Sequence, residues 1–111
     1  MARFVKGEVV VIPFPFSDLS GSKRRPALVL ADLSGDDILL CQITSQNSPK
    51  DTLAVPLSAS DFKSGELPLP SNIRPNRLFT ADKTLIIKSL GIVNAHIHQK
   101  VVDEIVSLIK P

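Results

Sequence analysis

A chain of 111 residues with 43% hydrophobic and 22% charged residues has the composition of an ordinary folded domain, which excludes a disordered tail and a coiled coil. Its one cysteine, Cys41, excludes an internal disulfide framework and a multi-cysteine zinc site. The net charge of +2 excludes a polycation, but residues 1–30 carry +3, residues 31–66 carry −4 and residues 67–111 carry +3, so two basic segments folded onto one face would attract phosphate.

Val9-Val10-Val11-Ile12 is β-branched throughout and reads as a buried strand. Pro13-Phe14-Pro15-Phe16 extends it, and prolines that cannot donate to a ladder place this part at an edge or bulge. Residues 17–24 read as a loop. Pro26–Leu30 and Asp37–Thr44 are the next strands, joined through Ser34-Gly35. If those two residues are the whole turn, Leu30 faces Leu39, Leu28 faces Cys41 and Arg25 faces Thr44. Thr52–Leu57 is a short strand, and Ser58–Lys63 makes a helical turn ended by Gly65. Pro68, Pro70 and Pro75 break the following stretch into extended pieces, with strands at Arg77–Thr80 and Ile86–Val93. Asn94 caps a helix over 95–110, whose Ile97, Val101, Ile105, Leu108 and Ile109 fall on one face. Many short strands and one late helix predict a mainly β, small closed barrel. No apolar run reaches the roughly 20 residues that span a bilayer. Arg3 and Lys6 interrupt any signal-peptide core, so one cytoplasmic domain over residues 1–111 is expected.

Common catalytic motifs are absent: the chain has no Gly-rich phosphate loop, no His-Glu-x-x-His and no Gly-x-Ser-x-Gly. His96 and His98 are two apart and face different sides of the expected helix, a poor arrangement for a shared metal. Cys41 sits among apolar neighbours and reads as a small core residue. Two segments remain. In Lys23-Arg24-Arg25-Pro26, the proline forces Arg25 into an extended conformation at the mouth of a strand. In Ile43-Thr44-Ser45-Gln46-Asn47-Ser48, hydroxyl and amide groups close an apolar strand. By spacing alone these are three solvated charges and a polar strand end. They become a site only where the hairpin register brings them together.

Gly7-Glu8-Val9-Val10, Arg25-Pro26-Ala27-Leu28-Val29-Leu30 and Ile43-Thr44-Ser45-Gln46, in this order, resemble the three leading motifs of the MazF/PemK toxins. Thr80-Ala81-Asp82-Lys83 and Leu90-Gly91 before a helix also fit, and the resemblance spans almost the whole chain. It implies an SH3-like barrel with a C-terminal helix. It also implies the toxin of a type II toxin–antitoxin system: a homodimeric, metal-independent endoribonuclease that cuts single-stranded RNA and is silenced by a cognate antitoxin. By the same resemblance Arg25 and Thr44 are catalytic and Gln46 is a polar position beside the site, with no metal or other cofactor; Lys23, Arg24, Gln46, Arg74 and Arg77 are the expected RNA-binding residues. The family's frequent Gln-x-Arg before Thr-x-Asp is replaced here by Arg77 and Phe79, and the Glu-Gln often found before the leading arginine is missing. Phe14, Phe16 and Phe79 are candidates for stacking on an unpaired base, or for the core. Two other classes fit the same pattern: a non-catalytic barrel that binds RNA or a protein partner, and a structural protein that only dimerises.

Overall fold

The structure, a computed structural model, describes residues 3–14, 23–45 and 52–111. Along them run strands β1 (Glu8–Phe14), β2 (Lys23–Asp32), β3 (Asp37–Thr44), β4 (Val55–Leu57), β5 (Phe62–Gly65), β6 (Ser71–Asp82) and β7 (Lys88–Val93), followed by helix α1 (Ala95–Ile109). The strands pair antiparallel in the order β4-β6-β3-β2-β1-β7-β5. β4 and β5 stand at the two ends of this order and, among the described residues, do not pair with each other, so the barrel is a curled, half-barrel sheet of the expected mainly β class. Among the described residues no helix is long and apolar enough to cross a membrane.

Strand β1 is apolar at successive positions because both its faces are covered. Val9 packs with Leu28, Cys41, Ile43, Ile73 and the helix residues Ile97 and Val101. Val10 and Ile12 pack on the other face with Ala27, Val29, Ile38 and Leu40, closed off by Phe4, Phe79, Ala81 and Ile86. Leu28, Ile38, Leu40 and Ile43 are fully buried, and each contributes about 1.5–3 kcal/mol by leaving water. On α1 only the first part of the expected stripe is covered. Ile97 and Val101 are buried and Ile105 packs at the edge, while Leu108 and Ile109 are exposed because the helix runs past the sheet.

The prolines fall where ladder bonds are dispensable. β7 pairs with β1 only as far as Val11, so Pro13 has β2 on one side and no β7 pairing on the other. Pro15 and Phe16 lie outside the described residues. Pro75 does not break its segment: β6 runs through it, because four residues (74–77) lie opposite the single Gln42 of β3 in a bulge. The Cys41 thiol sits beneath that bulge and donates to the Arg74 carbonyl (2.8 Å).

Other expectations shift in detail. The turn after β2 is longer than Ser34-Gly35: Leu33 N–H bonds the Asp37 carbonyl (3.2 Å), and Gly35 takes φ +83°. Leu30 is bulged out, so Ala31 rather than Leu30 faces Leu39. The turn after β4 is a 3₁₀ turn, Ala59–Asp61, that ends at Phe62. Gly65 instead pairs with Gly91, where a Cβ at either position would meet backbone at 2.0–2.2 Å. A second 3₁₀ turn, Lys83–Leu85, is closed by the Ile86 N–H bonding the Lys83 carbonyl, so the strand expected from Ile86 begins only at Lys88. Asn94 stands at the helix N-cap, but its amide donates to the Ser60 carbonyl (3.3 Å) instead of capping.

Candidate functional site

The open end of the β2–β3 hairpin carries the expected pair. The paired stretch of β2 and β3 ends with Leu28 facing Cys41 and Ala27 facing Gln42, and the same register continued by two residues places Arg25 opposite Thr44. Directly paired residues place their side chains on one face of the sheet. Arg25 and Thr44 are both half-buried, and both line a cavity of about 420 Å³. Consecutive residues of β2 (Arg24, Arg25, Pro26) and of β3 (Ile43, Thr44, Ser45) take part, so the cavity wraps over the strand ends. Its apolar floor includes Val11, Pro26 and Ile43. One wall is the Leu67-Pro68-Leu69 segment, which the buried Ser71 ties down by donating to the Leu69 carbonyl (3.0 Å).

Arg24, Arg25 and Lys88 line this cavity, and among the described residues that line it none is acidic. Three cations facing an apolar floor raise the local potential for an anion. A guanidinium stays protonated at any working pH and meets phosphate oxygens bidentately. The Thr44 hydroxyl can donate to the same group.

The remaining expected residues are more dispersed. Lys23 is the first residue of β2, across from Phe14. Gln46 lies outside the described residues, and so does Phe16. Arg74 and Arg77 belong to the bulged part of β6 and do not line the cavity. Phe79 packs with the second core cluster, which favours the core role over stacking. Lys88 was missed by sequence reasoning. Its register to Val11, which itself faces Pro26, brings it to the site across two strands, and no local motif announces such a contact.

Elsewhere, burial pushes the Cys41 thiol up to about 12, consistent with a core residue. His96 is exposed and His98 half-buried, with burial and then Lys6 holding the His98 imidazole below its ordinary value. Among the described residues no group of three or more His, Cys, Asp or Glu side chains is placed to hold a metal.

A family model described as the PemK-like, MazF-like toxin of type II toxin–antitoxin systems matches residues 5–109. The chain is similar in structure to an endoribonuclease in complex with its cognate antitoxin from Mycobacterial species (17% identity, 98% of each chain covered, TM-score 0.76). It is similar to a MazE–MazF complex from Deinococcus radiodurans (20% identity, 99% and 98% covered, TM-score 0.75). MazF from the same organism aligns over 100% of both chains at 20% identity and TM-score 0.75. Among curated proteins no sequence matches.

Proposed function

Because the chain belongs to the PemK-like, MazF-like toxins of type II toxin–antitoxin systems, we propose that it is an endoribonuclease that cuts single-stranded RNA without a metal ion. The observation that carries this reading is the meeting of Arg25 and Thr44 in one cavity whose described lining includes three cations and no carboxylate. The RNA 2′-oxygen attacks the adjacent phosphorus in line, forming the new O–P bond as the bond to the 5′-oxygen breaks. The 2′-hydroxyl proton is released and the 5′-oxygen leaves protonated, so the products are a 2′,3′-cyclic phosphate and a 5′-hydroxyl. Negative charge grows on the non-bridging oxygens during attack. Arg25 neutralises it and Thr44 donates to it, so both act most strongly where the charge is greatest. Arg24 and Lys88 hold the flanking backbone together with Lys23, Gln46, Arg74 and Arg77.

In this reading residues 1–111 form one cytoplasmic domain acting as a homodimer. A cognate antitoxin silences it with an acidic segment laid over the cavity, where it supplies the missing negative charge. Support comes from the structural neighbours solved together with antitoxins. The test is purified chain with single-stranded RNA in excess EDTA. Cleavage that leaves cyclic-phosphate ends is expected to persist, and its loss on chelation rejects the metal-free mechanism. Expression in a bacterial cell is expected to halt growth, whereas the Arg25→Ala chain is not.

The second reading, a barrel that binds RNA without cutting it, draws on Phe79. There the resemblance expects an arginine, and the side chain instead packs into the core. It predicts retention of intact RNA.

A further inference from the structure

The row of side chains that holds Arg25 and Thr44 does not stop at Thr44. On its far side Thr44 faces Asn72 of β6, and Asn72 in turn faces Pro56 of β4. Arg25, Thr44, Asn72 and Pro56 are therefore successive members of one cross-strand row, on neighbouring strands about 4.8 Å apart. The burial alternation agrees: Ile43 and Ile73 face each other in the core, so Thr44 and Asn72 share the opposite face. The adjoining residue Ser71 is buried and held, so this stretch of β6 is fixed in register.

Asn72 lines a second cavity of about 460 Å³, together with Ser45, Pro56, Ser58, Pro70 and Ser71. Ser45 and Ser71 also line the first cavity, so the two are adjoining parts of one cleft. Their chemistries differ. The first presents Arg24, Arg25 and Lys88, whereas among the described residues that line the second none is charged. Phosphate belongs in the first, and the second suits a neutral planar group edged with donors and acceptors. Asn72 is half-buried, and no described residue bonds its side-chain amide.

We propose that Asn72 is a specificity-determining residue, whose amide reads the edge of an adenine next to the phosphate held by Arg25 and Thr44. This rests on the endoribonuclease reading above. A carboxamide offers one donor beside one acceptor, which fits an edge that presents an amino group beside a ring nitrogen. Adenine presents that pattern on two edges, N6 with N7 and N6 with N1, against one on cytosine, N4 with N3, so an unpaired adenine offers the amide twice as many ways to pair. Pro56 and Pro70 flank the amide with flat apolar surface for the ring.

The test compares the unaltered chain with Asn72→Ala and the near-isosteric, uncharged Asn72→Leu, which keeps the shape but loses the donor and the acceptor. Cleavage of a randomised single-stranded RNA pool is read by sequencing the products. Binding is read separately with 2′-O-methyl oligonucleotides, which cannot be cut. The unaltered chain is expected to favour adenine at one position flanking the cleaved bond by about fivefold to a hundredfold. Both variants are expected to lose that preference by cutting the adenine sites more slowly, while sites with other bases are still cut. A cleavage pattern in Asn72→Ala identical to that of the unaltered chain, or loss of preference for another base, overturns the proposal and leaves the nuclease reading standing. Adenine-selective binding that depends on Asn72, without any cleavage, overturns the nuclease reading and leaves the base-reading residue standing. Neither binding nor cleavage overturns both.

Discussion

The two ends of the β2–β3 hairpin carry similar charges and use them in opposite ways. At the turn end, Lys83 forms an ion pair with Asp32 and donates to the carbonyls of Gly35 (3.1 Å) and Leu33 (3.5 Å). An ammonium has three donors, and here all three are taken by the protein itself. Asp32 accepts in addition from the Phe4 N–H (3.1 Å), which ties down the N-terminal segment. At the open end Arg24, Arg25 and Lys88 face a cavity with no acidic residue among the described residues that line it. The turn-end cavity is larger, about 650 Å³ against 420 Å³, yet it contains its own counter-ion. Volume therefore does not separate a site from a crevice in this molecule. Charge left without an internal partner does, because an anion from outside can complete it.

The strongest way to break this contrast is to remove the open-end groups. Arg25→Ala and Thr44→Ala should each lower the single-turnover cleavage rate by about 10²–10³, or roughly 3–4 kcal/mol of transition-state stabilisation. The double variant should fall short of the summed losses, because both groups act on the same oxygens. Lys83→Ala at the turn end should leave the rate unchanged. Full activity in Arg25→Ala would refute the assignment of the open end.

Much of this end was legible from local chemistry. Pro26 restricts Arg25 to an extended conformation, and alternating apolar residues set the register that meets Thr44. The turn end was less legible, because the Leu30 bulge and the longer turn compensate each other and leave the open-end register intact. The bulge at Pro75 depends on β3 as well as on β6. Gly65 was misread as a helix stop because its reason is the backbone of Leu90 and Gly91, twenty-five residues and more along the chain. Lys88 and Asn72 reach the site only by lateral pairing, and periodicity along one segment carries no information about its neighbour.

Supplying the missing counter-ion is a gentler intervention. Ser45→Glu puts a carboxylate at the rim of the open-end cavity and makes it resemble the turn end. Affinity for single-stranded RNA should drop by about tenfold at low salt, since the new charge both repels phosphate and pairs with the cations. Ser45→Gln, of similar size, should cost much less. Equal losses in the two variants would mean that shape, not charge, governs the cavity.

The two lysines give a finer comparison. A protein cation that contacts a single-stranded backbone adds about 0.7 to the slope of log affinity against log salt. Lys88→Ala should lower that slope by about 0.7, and Lys83→Ala should not alter it. The affinity difference between unaltered and Lys88→Ala chains then shrinks about 2.6-fold when salt is raised fourfold. An unchanged slope in Lys88→Ala would remove this residue from the phosphate contacts while leaving Arg25 and Thr44 in place.

The smallest effect is expected at the turn end, and it concerns stability rather than activity. The Lys83 hydrogen bond and then the Phe4 N–H hold the Asp32 carboxyl below its ordinary value of 3.8. A carboxyl with a lowered folded-state pKa binds protons more readily in the unfolded chain. Its stabilising contribution is therefore complete above pH 3.8 and is lost as the pH falls through the lower folded value. Asp32→Asn carries no titrating group at this position. The stability gap between the two chains, measured by denaturant unfolding from pH 6 down to pH 2, should be constant above that value and narrow below it. Solvent reaches the pair and screens it, so the gap should be modest throughout. Cleavage at neutral pH should be the same in both chains. A gap that does not change with pH would mean that Asp32 acts through shape alone. A loss of cleavage in Asp32→Asn would mean that the charges at the two ends are not separate, and the contrast between them would fail.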